Sequence, residues 1–236
     1  MNVNHLNDRL IVALDKSSID EIRQMVQELS QYLSFFKVGL EAMTALGCPL
    51  LVDTIHQANG RVFLDGKFCD IPNTVGKASK AAAKLGVAMF NVHASCGIDA
   101  IKAAADQKQN AKLLVVTILT SMNQNAVDEI FHCSIEDLIL KFAIQAKDAG
   151  ADGIVCGAPD LEILSKDPAL SALEKIVPGI RPKWADPGDQ KRTMTPFEAL
   201  RLGATSLVIG RPITSPPKDV GSPKAAVKKI LDEIGQ

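Results

Sequence analysis

The segment Asp65-Gly66-Lys67-Phe68-Cys69-Asp70 sets three charges directly after the apolar run Arg61-Val62-Phe63-Leu64. In an extended strand, residues two apart share a face, so Asp65 and Lys67 present opposite charges where a core favours apolar groups. A carboxylate beside an ammonium favours its charged form and can hold a fixed charge against a polar ligand. The competing explanation is an ordinary ion pair closing a strand end. Asp70 is five residues beyond Asp65, so an unbroken strand would turn it to the opposite face, and Pro72 disfavours continuing the strand. Asp70 therefore needs a turn before it can join the other two.

The elements that would position these groups recur along the chain. Short apolar, often β-branched runs lie at 10–15, 35–40, 61–67, 88–93, 112–119, 153–157, 174–180 and 205–210, with helix-like stretches between them, including 18–33, 72–85, 98–107, 135–149, 196–202 and 223–234. Ala-Gly-Ala at 149–151 and Leu-Gly at 202–203 look like helix C-caps. Eight such units predict an α/β fold, a (β/α)8 TIM barrel, with its active site at the C-terminal ends of the strands. A doubly wound open sheet is the runner-up, but no Gly-x-Gly-x-x-Gly turn follows a strand. Without a linker or a sharp change in composition, residues 1–236 are expected to form one domain. The stretches 120–134 and 181–194 are expected as long polar loops.

The predicted strand ends are polar. They bring Asp15, Lys37, Asp65, Lys67, His93, Thr120, Arg181 and Gly210-Arg211 to one rim. Loops after strands seven and eight often bind phosphate, and here they carry Arg181, Lys183, Gln190, Lys191, Arg192 and Arg211. Guanidinium forks match phosphate oxygens in pairs, whereas a merely solvated basic loop is the simpler alternative. His93 is expected to play a structural or supporting part.

Composition narrows the partners. A net charge of −1 gives no general attraction to nucleic acid or membrane, and one Trp, one Tyr and eight Phe argue against a base-stacking surface. Five scattered Cys with no Cys-x-x-Cys pair disfavour a disulfide framework or a zinc site, and the four His lack i, i+4 spacing. No metal or cofactor is expected. The N-terminal residues lack a basic region followed by an apolar core, and no apolar run is long enough to span a bilayer, so a cytoplasmic protein is expected.

The strings VALD, FKVGLE, FLDGKFCDIPNTV, NVHAS, TILTSM, PGIRP, DQKRTMTP and VIGRPI occur in this order. Together they resemble the orotidine 5'-phosphate decarboxylase family from about residue 9 to 231. The resemblance implies decarboxylation of orotidine 5'-phosphate to uridine 5'-phosphate in pyrimidine biosynthesis, without metal or cofactor, through a Lys-Asp-Lys-Asp network of Lys37, Asp65, Lys67 and Asp70. Lys67 would protonate pyrimidine C6, and Asp65 would lie near the substrate carboxylate and orient Lys67. Asp15 and Lys37 would hold ribose hydroxyls, Thr120 the pyrimidine, and Arg181, Gln190, Gly210 and Arg211 the phosphate. In the implied homodimer, Asp70, Ile71 and Thr74 would serve the neighbouring site. Two residues depart from the family pattern: Gly66 stands where a bulky aliphatic is common, and Cys96 where Gly is common. Gly66 is expected to face the helices. Sugar-phosphate chemistry assisted by a divalent cation, and a phosphate-binding barrel without catalysis, are the alternatives.

Overall fold

The computed structural model describes residues 7–186 and 193–235. Its strands are β1 (Leu10–Ala13), β2 (Phe35–Val38), β3 (Arg61–Phe68), β4 (Met89–His93), β5 (Lys112–Val116), β6 (Gly153–Val155), β7 (Glu174–Pro178) and β8 (Ser206–Ile209). Every neighbouring pair is parallel, and β8 pairs with β1 to close the barrel in simple sequence order.

Side-chain alternation divides the apolar residues into two layers. Ile11, Ala13, Phe35, Phe63, Met89, Leu114, Val116, Val155, Ile176 and Val208 fill the barrel interior. Leu10, Val12, Phe36, Val38, Val62, Leu64, Phe90 and Val92 belong to the layer beneath the helices. Phe36, Phe63 and Phe90 are among the largest fully buried side chains, and burying a side chain of this kind stabilises the fold by about 1.5–3 kcal/mol. The same alternation, continued toward the C-terminal rim, brings Asp15 after Ala13, Lys37 after Phe35, Asp65 after Phe63, Asn91 after Met89 and Gly210 after Val208 onto the inward face. The barrel floor is therefore apolar and its mouth polar.

The helices are α1 (Ile19–Leu29), α2 (Leu40–Leu46), α3 (Cys48–His56), α4 (Pro72–Lys84), α5 (Ile98–Ala105), α6 (Gln124–Phe131), α7 (Ile135–Asp148), α8 (Asp160–Ser165), α9 (Pro196–Arg201), α10 (Arg211–Thr214) and α11 (Pro223–Ile234). Local chemistry explains several boundaries. The Ser134 hydroxyl accepts the Asp137 N–H at the start of α7, and Thr195 with Glu198 closes a capping box at α9. Gly150, at φ 81°, takes the left-handed turn after α7 as the sequence predicts. Two expectations need adjusting. Helix α1 stops at Leu29, short of 33, where Ser30 caps it. The stretch 120–134 is no plain loop but carries α6, started by the Asn123 side chain accepting the Ala126 N–H. Among the described residues no helix is long and apolar enough to cross a membrane.

Candidate active site

Four charged side chains form an alternating chain across the barrel mouth. Lys37 Nζ donates to Asp15 Oδ1 at 2.9 Å and lies 3.4 Å from Asp65 Oδ2; Lys67 Nζ donates to Asp65 Oδ1 at 2.7 Å. The two central groups are the least exposed, with side chains 9% accessible for Lys37 and 13% for Asp65. A carboxylate this buried needs its partners, because stripping one from a buried pair typically costs about 3–5 kcal/mol. Burial pushes the Asp65 carboxyl up. The Lys37 and Lys67 charges, with hydrogen bonds from Lys67 and Asn91, outweigh it and hold Asp65 below its ordinary value.

Strand alternation alone does not place Lys67. Leu64 pairs with Phe90 and Phe68 with Val92, so four residues on β3 span two on β4. This irregularity accommodates Lys67 at φ 48°, a left-handed conformation that costs an L-residue about 1–2 kcal/mol. Asn91, fully buried on β4, faces the slip: its Oδ1 accepts the Lys67 backbone N–H and its Nδ2 donates to Asp65 Oδ1, each at 2.7 Å. Gly66 does face the helix layer as expected. A Cβ there would lie 2.7 Å from the Phe68 ring and 3.3 Å from Met43 Cε, so the room a bulky residue would need is taken by Phe68.

Lys37, Asp65, Lys67 and Thr120 line one cavity of about 180 Å³, walled by Phe63, Val116 and Val208 among others. Arg181 and Arg211 together line a second cavity of about 260 Å³. They stand three residues beyond Pro178 and Val208 of the first cavity's wall, within about 11 Å along each chain. Gly210 follows the end of β8, directly before Arg211. Lys183, by contrast, is exposed, and its charge acts on Glu198 and Glu233. Gln190, Lys191 and Arg192 lie outside the described residues.

Asp70, Ile71 and Thr74 are not brought to this cluster. All three are exposed at the start of α4, Ile71 by 65%, and Asp70 Oδ1 accepts the Ile71 N–H at 2.6 Å. His93 is half-buried with Nδ1 2.9 Å from Ser95 Oγ; burial and then the Lys67 charge hold its imidazole below the ordinary value. Both effects suit a neutral supporting residue. Burial, with Cys69 nearby, pushes the Cys96 thiol up to about 11, so it remains protonated at neutral pH. Among the described residues, no three His, Cys, Asp or Glu side chains gather where they could hold a metal ion.

Sequence reasoning missed two contributors. Asn91 leaves a trace, an amide inside the apolar run Met-Phe-Asn-Val, where strands are depleted of Asn. Gly39 leaves none. A Cβ there would lie 2.8 Å from Lys37 Nζ and 2.9 Å from Asp15 Oδ1, a relation that exists only once both side chains are placed.

The fold and this mouth define an α/β barrel enzyme whose charged site is assembled from strand ends. The chain belongs to the orotidine 5'-phosphate decarboxylase / HUMPS family, which matches residues 8–230. It is 41% identical to the orotidine 5'-phosphate decarboxylase of Moorella thermoacetica, over 98% of this chain and 93% of the relative. It is 39% identical to that of Syntrophomonas wolfei, over 96% and 98%. A crystal structure of orotidine 5'-phosphate decarboxylase from Lactobacillus acidophilus superposes with a TM-score of 0.83 at 32% identity, covering 97% of this chain and 100% of that one.

Proposed function

We propose that this chain converts orotidine 5'-phosphate to uridine 5'-phosphate and carbon dioxide in pyrimidine biosynthesis, without a metal or organic cofactor. The observation that carries the proposal is Lys67 Nζ, held 2.7 Å from Asp65 in a strand-end cavity beside the Arg181–Arg211 cavity. The activity named for its relatives supports the same reading.

In this mechanism the bond from C6 to the carboxylate breaks, carbon dioxide departs, and the electron pair stays on C6. The Lys67 ammonium donates a proton there and regains one from solvent. Asp65 fixes that ammonium, and its charge opposes the substrate carboxylate until carbon dioxide leaves. Preset charges matter because they need little reorganisation as charge develops. Two unit charges 4 Å apart interact by about 4 kcal/mol at an effective dielectric near 20, while enzymes lower barriers by about 8–23 kcal/mol. No single pair accounts for that. Binding energy from the distant phosphate, held by Arg181, Gln190, Gly210 and Arg211, supplies a further part when it is realised in the transition state.

Asp15 and Lys37 hold the ribose and Thr120 the pyrimidine. The chain acts as one barrel domain in a homodimer, in which Asp70, Ile71 and Thr74 complete the neighbouring site. Their exposure and their position outside the in-chain cluster support that assignment.

The test is loss of orotidine 5'-phosphate absorbance on adding the purified protein in the presence of a chelator. Turnover should persist. Activity that disappears with chelation and returns with magnesium would overturn the mechanism in favour of metal-assisted chemistry.

A further inference from the structure

We infer that Asn91 is a positioning residue for the reaction: its buried amide sets both the backbone of Lys67 and the carboxylate of Asp65. The inference rests on the proposed decarboxylation for its catalytic consequence only. The geometry stands without it.

The slip between β3 and β4 leaves the residues between Leu64 and Phe68 without a regular ladder partner. A buried backbone N–H needs an acceptor, and Asn91 Oδ1 supplies one to Lys67 at 2.7 Å. That donor fixes which way the amide points, because only its oxygen can accept an N–H. Nδ2 is therefore turned to Asp65 Oδ1, also at 2.7 Å, the same oxygen that accepts from Lys67 Nζ. One side chain thus closes a ring through both ends of the Lys67 residue. With its backbone at φ 48°, the lysine reaches back to donate from Nζ to Asp65 Oδ1 at 2.7 Å.

Other side chains do only part of this. Aspartate has the same size and can accept the Lys67 N–H, but it replaces the donor to Asp65 with a like charge. Serine is too short to span both partners, and leucine offers neither donor nor acceptor. Asn91 has 0% exposure and sits behind Asp65, so its effect on a substrate passes through the pair. A change at Asn91 should then lower kcat while leaving affinity governed by the Arg181–Arg211 region nearly intact.

The experiment uses the full chain with Asn91→Asp and Asn91→Ser, and two measurements. The first is the Asp65 carboxylate titration followed by carbon NMR, which needs no substrate. Its midpoint should move to higher pH in both variants, further in Asn91→Asp, where a second carboxylate joins Lys37 and Lys67 around it. The second is steady-state turnover of orotidine 5'-phosphate: kcat should fall about 10–100-fold with KM changed less than about threefold. An unmoved Asp65 midpoint overturns the inference, as does a moved midpoint with unchanged kcat. Should Asn91→Ser fail to fold, Asn91→Asp, equal in size and still accepting the Lys67 N–H, decides alone. A wild-type protein inactive on orotidine 5'-phosphate would refute the functional proposal, and the titration would then decide the positioning role.

Discussion

A methyl group on Gly39 would lie 2.8 Å from Lys37 Nζ, inside the space the ammonium uses to reach Asp15. Gly39 has extended backbone at φ −108°, so the requirement for glycine is one of room and not of conformation. Gly39→Ala should displace the ends of two side chains without disturbing the barrel. Stability should change by less than about 1 kcal/mol. Displacing Lys37 by even part of an ångström should lower kcat/KM about tenfold or more. Thermal unfolding and steady-state kinetics on the same preparation separate the two effects; unchanged kcat/KM would show that the pair tolerates the methyl.

Asp65 ties stability to pH. Its folded carboxyl is held low against the opposing push of burial, while in the unfolded chain it returns to about 3.9. The unfolded state takes up the proton first, so the stabilisation is complete above about pH 4 and is lost as pH falls toward the lower folded value. Asp65→Asn should cost about 3 kcal/mol near neutrality by leaving Lys37 and Lys67 without their shared carboxylate. It should also flatten the decline in stability below about pH 4. Denaturant titrations at neutral pH and at pH values below 4 measure both, and parallel acid declines in the two proteins would refute the assignment.

Gly66 and Phe68 occupy each other's space. Gly66→Leu should destabilise the fold by about 1–3 kcal/mol, because the new side chain meets the Phe68 ring, which lies 6.1 Å from that of Phe90. Adding Phe68→Ala should recover part of that loss, since the two positions are in contact and do not add independently. Strictly additive effects in denaturant unfolding would show that the collision is relieved elsewhere.

Mixing two inactive variants tests whether sites are shared. Lys67→Ala should abolish turnover while still binding uridine 5'-phosphate, and Asp70→Ala should lose activity as well. A mixed dimer would contain one site with both Lys67 and Asp70, so an equal mixture after subunit exchange should regain about a quarter of the wild-type activity. No recovery despite demonstrated exchange would mean each site is built from one chain.

The eight strand positions, the barrel class and the polar strand ends were legible in the sequence because they depend on local periodicity. Strand-end position brought Asp15, Lys37 and Asp65 to one rim, and alternation paired Asp65 with Lys67 on one face although the β3–β4 slip, not the strand period, places Lys67. The ordered motifs made the family recognisable. Helix α6 was less visible because its polar surroundings mask a short helix. Tertiary structure decided the rest. The β3–β4 slip sets the conformation of Lys67, the opposing strand supplies Asn91, and Gly39 matters only where Lys37 and Asp15 meet. These relations depend on distances between separate strands, to which a sequence period of two is blind. Asp70 shows the same division: spacing separated it from Asp65 and Lys67, and the fold left it exposed at the start of α4.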